Sequence, residues 1–421
     1  MLRGISAMIS DLFKRLDRRF KVLLFSIGLQ TWSSGLSAQY NQLYATALGA
    51  NPVELGSLES VGGVVSSAFS APAGYFIDRF GVKQMLLLGL FFSALVALIY
   101  GCALNWWMLI PAIILTRISM LLIMPLTDII IIGVTSSGRR ALAMSFSRVI
   151  WAIPALFAPY FAATVVSIFG GISVEGIRPL YFIQLAASLV ASILVLVMLE
   201  PLPIQKTFSH HTSLTSGLIR GYRDLLRSER WLKHWLVALA VMRLGGISAP
   251  FIPLWIVQVK GADQQLLGLM GTLSVLAQIL LQIPVGSLAD RIGRKKVFLI
   301  LRPMLYAGTL MLIWAPNHAV LALAGIFGAI GLMGPGGLSG IGGISFIPFI
   351  TMYWESFPAE KRGMVQGISG LLDFIGSLAS LLGGFLWSMG YMEIVLILPL
   401  LTDLLILVPI FMSIPEGLRR T

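Results

Sequence analysis

The chain has 421 residues, of which 57% are hydrophobic and 11% are charged, and its mean hydropathy is +0.89. A water-soluble domain of this length could not bury so many apolar residues, so the composition indicates an integral membrane protein. The single cysteine, Cys102, excludes an internal disulfide, and the four histidines are too scattered to form a metal site. We therefore expect no metal, no cofactor and no enzymatic activity.

The chain begins with a basic amphipathic segment, residues 1–21, in which apolar side chains at helical spacing oppose a face that includes Lys14 and Arg18. We predict a helix lying on the inner membrane surface, with a frayed basic tail as the alternative. Twelve apolar runs follow, each about as long as a helix that crosses a bilayer, roughly 20 residues. The predicted spans lie near 22–46, 54–77, 84–104, 106–134, 140–168, 179–199, 232–259, 265–289, 297–315, 318–354, 363–389 and 392–414.

The positive charges indicate the orientation of these spans. On the side of the two termini, 24 lysines and arginines flank the spans, whereas Arg178 and Lys260 are the 2 on the opposite side. This bias predicts that both termini are cytoplasmic, and it explains the net charge of +12 without a nucleic-acid partner. The expected organisation is an amphipathic segment (1–21), a six-helix bundle (22–200), a cytoplasmic linker (201–231), a second six-helix bundle (232–415) and a tail (416–421).

A charged turn occurs twice, 212 residues apart, as GYFIDRFGVKQ (74–84) and GSLADRIGRKK (286–296). The shared positions are Gly74 and Gly286, Asp78 and Asp290, Arg79 and Arg291, Gly81 and Gly293, and Lys83 and Lys295. Agreement at one offset, at the end of the second span of each half, indicates two parallel repeats. The turns resemble the signature of the major facilitator superfamily, G-x-x-x-D-R-x-G-R followed by Arg or Lys. The second copy fits it, including Arg294, whereas Val82 replaces the arginine in the first.

The resemblance implies an all-α membrane protein with twelve transmembrane helices in two pseudo-symmetric six-helix bundles that open alternately to each side. It also implies that each turn belongs to a gate, in which the aspartate caps a helix of the opposite half and the arginine binds an acid. By this reasoning Asp128 is the partner of Arg79, Glu355 is the partner of Arg291, and Arg148 joins the first gate. The alternative is that these charges only set the topology.

Charged side chains inside the spans mark a candidate substrate site, because an ionised group facing lipid costs several kcal/mol. Arg117 and Arg243 lie deep in the fourth and seventh spans, and Asp373 lies at the depth of Arg243 in the eleventh. We predict that the arginines bind substrate and that Asp373 faces Arg243 and couples transport to protons, with a static ion pair as the alternative. The fourth span keeps only the arginine of the family's R-x-x-Q-G-x-G motif. Asp403 is a second candidate for proton coupling. Arg302 is expected to reach the inner surface, and the alternative is that it pairs with Asp403.

Polar uncharged residues also lie at positions that can line a cavity. Gln39, Gln278 and Gln282 are candidate substrate ligands, with hydrogen bonds between helices as the alternative role. The glycines that recur every third residue from 325 to 343 predict a tenth helix that bends as a gate, with tight packing on several sides of the helix as the alternative.

Taken together, these features predict a monomeric secondary transporter in the cytoplasmic membrane whose partners are a small-molecule substrate, protons and the lipid bilayer. The two arginines favour a small organic anion as the substrate. One alternative is efflux of lipophilic drugs by proton antiport, because the fifth span keeps small residues at the places of an antiporter motif. A receptor-like protein without flux is the third hypothesis.

Overall fold

The structure is a computed structural model that describes residues 18–134, 140–199, 231–328, 340–357 and 362–416. Over these ranges the chain forms helices in each of the twelve predicted spans, with the tenth interrupted. In the N-terminal half they are α1 (Arg18–Ser37, continued by Asn41–Ala47), α2 (Pro52–Phe80), α3 (Val82–Cys102), α4 (Leu109–Val134), α5 (Arg140–Ile168) and α6 (Val174–Met198).

The C-terminal half repeats this arrangement with more interruptions. Its helices are α7 (Leu232–Leu244, followed by the turns Gly245–Ile247, Ile252–Leu254 and Trp255–Val259), α8 (Gln264–Ile292), α9 (Arg294–Trp314), α10 (His318–Phe327, Gly340–Ile344 and Phe346–Glu355), α11 (Arg362–Leu371 and Asp373–Ser388) and α12 (Met392–Thr402, the π-helical turn Asp403–Leu407 and Val408–Ser413). Within the described ranges, nine helical stretches are long and apolar enough to cross a membrane. The all-α fold predicted from the sequence is therefore confirmed.

The glycine of each charged turn has the backbone conformation that joins two helices tightly. Gly81 between α2 and α3 has φ 88°, and Gly293 between α8 and α9 has φ 103°. A side chain is strained at such angles, which explains why both copies of the turn carry glycine here. The two glycines thus have the same kind of backbone conformation at equivalent positions of the two halves.

The tenth helix differs from the continuous span predicted for residues 318–354. Its first segment ends at Phe327, because Gly328 adopts a left-handed conformation (φ 104°) and its N–H bonds to the carbonyl of Ala324. This is a helix C-cap that glycine favours, so the first segment of α10 terminates here. Residues 329–339 lie outside the described ranges, and the predicted gate motion stays a prediction.

The two halves meet along α2 and α11 and along α5 and α8. A Cβ placed on Gly56 would lie 2.5 Å from the Ser380 carbonyl oxygen, and one on Gly384 would lie 2.5 Å from that of Pro52. Because the spans alternate in direction, these contacts and those of α5 with α8 lie at the same end of the molecule, which we call the closed end. Small residues let the backbones of opposite halves approach this closely.

Candidate functional site

The predicted contact between Arg243 and Asp373 is present. Arg243 Nε lies 2.8 Å from Asp373 Oδ1, and the side chains are 40% and 24% exposed. Both residues sit where their helices are irregular, since α7 leaves α-helical geometry after Leu244 and α11 is interrupted at Leu372. The ion pair therefore joins α7 and α11 within the C-terminal half and remains partly accessible.

Asp373 is also bonded to the N-terminal half. Ser66 Oγ of α2 donates a hydrogen bond of 2.7 Å to Asp373 Oδ2. Six residues earlier on α2, Ser60 Oγ donates to the backbone carbonyl oxygen of Ser377 on α11. The sequence analysis missed Ser66, since a serine in an apolar helix gives no signal until the packing of the two halves is known.

A second ion pair joins α2 and α4. Arg117 Nη2 lies 2.6 Å from Glu59 Oε2, and the side chains are 34% and 26% exposed. Gln42 Nε2 of α1 approaches the other carboxylate oxygen of Glu59 at 3.4 Å. The sequence analysis missed Glu59. Its depth in α2 was a signal, since it lies about as deep there as Arg117 does in α4. The predicted anion-binding Arg117 is thus already paired with an acid.

Helix α2 passes between the two ion pairs. A Cβ on Gly62 would lie 2.8 Å from Arg117 Nε, whereas a Cβ on the adjacent Gly63 would lie 2.7 Å from Ser377 Cβ on α11. One face of this turn thus contacts the charged group of α4, and another contacts α11 beside Asp373. The two pairs and the boundary between the halves form one candidate site.

Arg302 and Asp403 form a separate, buried cluster in the C-terminal half. Arg302 binds both oxygens of Asp403, at 2.7 and 2.5 Å, and also donates to Ser345 Oγ, while Tyr306 donates to the same aspartate. The expectation that Arg302 reaches the inner surface is wrong, because only 7% of its side chain is exposed. The aspartate of α12 holds the arginine inside, and the cluster ties α9, α10 and α12 together.

The lysines of the charged turns bind the end of the last helix in their own half. Lys83 Nζ donates to the Leu196 carbonyl at 3.0 Å, and Lys295 Nζ donates to the Ile414 carbonyl at 2.9 Å. Carbonyls at a helix C-terminus lack partners within the helix and carry partial negative charge, so a lysine there stabilises the end. These described contacts lie within one half, and a role of the lysines in gating stays a prediction.

The described part of the second charged turn also differs from expectation. Glu355 pairs with Arg294 and not with Arg291, which is exposed. Arg294 begins α9 directly after Gly293, and its guanidinium lies 3.8 Å from the Asp290 carboxylate while it also pairs with Glu355, so it contacts both acids. A Cβ on Gly286 would meet nothing within 4 Å, so a close contact does not explain the glycine at this position of the turn.

The first charged turn cannot be compared in the same way. The backbone is helical at five residues of the first gate, but the structure does not describe their surroundings; these residues are Gly74, Asp78, Arg79, Asp128 and Arg148. The gate assigned to them stays a prediction.

The three candidate glutamines have different surroundings. Gln39 of α1 is 1% exposed, and neither atom of its amide has a partner among the described residues. Its Nε2 lies 2.2 Å from where a Cβ of Gly271 would be, so the amide lies against the backbone of α8 across the boundary between the halves. Gln278 and Gln282 are half-buried on α8. The substrate-binding role of all three stays a prediction.

Comparison with known proteins decides the family. The family model described as Major Facilitator Superfamily matches residues 22–249 and again residues 235–420, and so covers both halves. The chain belongs to the Major Facilitator Superfamily. As a member of this superfamily it is a multi-pass membrane protein and a secondary transporter.

Three known proteins show the level of similarity to this chain. Multidrug resistance protein 2 of Bacillus subtilis (strain 168) is 22% identical over 333 residues, which are 77% of this chain and 78% of that protein. A mutant of the nucleoside transporter NupG superimposes with a TM-score of 0.73 at 14% identity, covering 94% of this chain and 99% of the other. For a D-xylose-proton symporter the TM-score is 0.65 at 13% identity, with 94% and 98% covered. At these identities the solved structures show a shared fold alone.

Proposed function

We propose that this chain is a proton-coupled transporter of a small organic anion, and that Arg243 and Asp373 form its coupling site. The observation that carries the proposal is their ion pair, partly exposed and placed where α11 meets the N-terminal half. A charged pair inside a membrane protein, in contact with a mobile boundary, is a site whose ionisation can be linked to conformation.

The chemistry follows from the charge balance of the pair. With Asp373 ionised, the guanidinium of Arg243 is neutralised at 2.8 Å. When the carboxylate takes up a proton, the positive charge of Arg243 loses its partner, and the arginine attracts an anion into the site. Substrate anion and proton then occupy the site together, with the same net charge as the empty pair.

Arg117 and Glu59 extend the site in the N-terminal half. Their pair is likewise partly exposed and charge-balanced, so a proton on Glu59 would release Arg117 in the same way. An anion held between Arg117 and Arg243 would contact both halves. Such a contact gives the substrate a means of favouring one arrangement of the halves over the other.

The proposal includes an orientation and a setting. We infer that the protein is a monomer in the cytoplasmic membrane with both termini in the cytoplasm, as the charge bias predicts. The closed end, where the start of α2 meets the end of α11, then faces outward. In that orientation substrate would reach the two ion pairs from the cytoplasmic side.

A second candidate function is efflux of lipophilic compounds by proton antiport. Glu59 supports it, since the site contains one more acid than the sequence analysis counted, and a cationic drug needs such a partner. The similarity to Multidrug resistance protein 2 supports it as well. Pro159 and Ala163 stand at two of the places where the antiporter motif of the fifth span has small residues, and both pack against Gly268 of α8 in the opposite half.

The two candidates are separated by a ligand screen of the purified protein. A ligand that binds the folded state raises the melting temperature by mass action. We expect organic anions to raise it in the wild-type protein and in Lys233→Gln, which changes an exposed charge on α7, but not in Arg243→Gln. Stabilisation by lipophilic cations alone would contradict the anion proposal and support drug efflux.

A further inference from the structure

Asp373 is held by donors from both halves of the molecule. Arg243 of α7 contacts Oδ1 at 2.8 Å, and Ser66 of α2 donates to Oδ2 at 2.7 Å. Each carboxylate oxygen thus has its own donor, one from the half that contains Asp373 and one from the opposite half. The hydrogen bond from Ser66 exists only while α2 and α11 remain in contact at this level.

We propose that Ser66 is the positioning residue that links the ionisation of Asp373 to the contact between the two halves. The inference rests on the proposed function, in which Asp373 takes up and releases the transported proton. In addition, it assigns to the Ser66 hydroxyl the role of transmitting protonation of Asp373 to the contact between the two halves. Without such a group, protonation would alter the C-terminal half alone.

The direction of the effect follows from hydrogen-bond chemistry. An ionised carboxylate accepts a charge-assisted bond from the serine hydroxyl, and such bonds are roughly twice as strong as neutral ones. A proton that arrives from water on Oδ2 turns the carboxylate into a neutral acid, which then donates to Ser66 or leaves it. Either outcome replaces a charge-assisted bond by a weaker one. Acidification therefore favours separation of α2 from α11.

The surrounding charges do not duplicate this link. Among the described residues, the charged groups around Asp373 are Arg243 on α7 and, across the α2 turn, the Glu59 and Arg117 pair, which balances its own charge. Tyr353 of α10 is a further titratable group near Arg243. Of the contacts that these groups make, the bond from Ser66 to Asp373 Oδ2 crosses the boundary to an ionisable acceptor.

Two further serines on the same helix provide matched controls. Ser60 also crosses the boundary, but it donates to the uncharged backbone carbonyl of Ser377. Ser67, adjacent to Ser66, donates to the Val64 carbonyl within α2. The variants Ser60→Ala, Ser66→Ala and Ser67→Ala each remove one hydroxyl group from α2. The three variants therefore separate loss of a charged contact, loss of a neutral contact and loss of no contact between the halves.

The experiment measures the separation of the halves against pH in the full-length protein in lipid. Spin labels are placed at Asn105 and Met389, exposed residues of opposite halves at the closed end, after the exposed Cys102 is replaced by serine. Distance distributions give the ratio of separated to closed molecules without any substrate. In the wild type we expect this ratio to rise about tenfold on acidification. A rise of this size corresponds to a proton affinity of Asp373 that is about tenfold higher in the separated state than in the closed state.

In Ser66→Ala we expect the ratio to change less than about twofold over the same pH range, which is close to no linkage. Ser60→Ala should raise the ratio at every pH and keep the wild-type slope, and Ser67→Ala should match the wild type. A wild-type slope in Ser66→Ala overturns the role of Ser66 and leaves the proposed coupling standing. A wild-type protein whose distances do not respond to pH overturns the coupling itself, and this inference with it.

Discussion

Glu59 and Arg117 form an ion pair between α2 and α4, with 2.6 Å between the carboxylate and guanidinium atoms. The two residues lie 7 and 8 positions from the ends of their helices at Pro52 and Leu109. At about 1.5 Å per residue these positions correspond to depths of roughly 11 and 12 Å from the same end of the molecule. The match in depth lets one acid neutralise the arginine without distortion of either helix.

Glu59→Gln is expected to lower the free energy of unfolding by about 1 kcal/mol, since it leaves the Arg117 guanidinium without its anion. The effect is small because about a quarter to a third of each side chain is exposed. Chemical denaturation of the purified protein measures it.

The double variant Glu59→Gln, Arg117→Gln is the control, because it removes both charges. Its stability should lie close to that of the wild type. If the double variant loses as much stability as Glu59→Gln and Arg117→Gln lose together, the two residues do not stabilise each other.

Asp403→Leu is expected to destabilise the fold far more, by about 3–5 kcal/mol, because it leaves Arg302 buried without a counter-charge. Arg302→Met combined with Asp403→Leu should recover most of the loss. The comparison is made by thermal unfolding of the two variants.

The double variant Arg302→Met, Asp403→Leu also tests whether Asp403 takes part in proton coupling, as predicted from the sequence. Its burial and bidentate bonding favour a role in holding α9 to α12. The double variant should therefore transport with the pH dependence of the wild type. A shifted pH profile in a folded double variant would return Asp403 to the coupling site.

Lys295→Met is expected to lower stability by about 0.3–1 kcal/mol, the usual effect of a positive charge at a helix C-terminus. Lys83→Met should have a similar effect, because it caps α6 as Lys295 caps α12. Lys296→Met is the control, since the neighbouring lysine is exposed. Equal loss in all three variants would show that general charge, and not the caps, is responsible.

Gly56→Ala is expected to favour separation of the halves at the closed end, because the new methyl group would lie 2.5 Å from the Ser380 carbonyl oxygen. Cysteine labelling of Asn51→Cys, at the exposed start of α2, should become faster in this variant. Gly245→Ala is the matched control, since its Cβ would meet nothing within 4 Å. Unchanged labelling in Gly56→Ala would mean that this contact does not limit opening.

Much of the fold follows from the sequence, because span length, charge bias and the repeated turn act independently of detailed packing. The pair of Arg243 and Asp373 was predictable for the same reason, since depth in a helix can be counted. The depth of Glu59 in α2 can be counted in the same way, although the sequence analysis did not include this residue.

Other features depend on the rotation and packing of helices, which counting does not give. Depth alone placed Arg302 near the surface, whereas its side chain points towards Asp403 on α12. The bond from Ser66 to Asp373 requires the two halves to be packed together. The exchange of Arg291 for Arg294 as the partner of Glu355 depends on the turn at Gly293, which places Arg294 on α9 and leaves Arg291 on α8.

The central claim is that Asp373 couples anion transport to protons through Arg243. The most direct test uses proteoliposomes that contain Asp373→Asn and an organic anion that stabilises the wild-type protein. Two transport modes are compared, accumulation driven by a pH gradient and exchange of labelled for unlabelled anion without a gradient. We predict that the variant keeps exchange but accumulates no more anion than liposomes without a gradient. Accumulation at the wild-type level in Asp373→Asn would contradict the account.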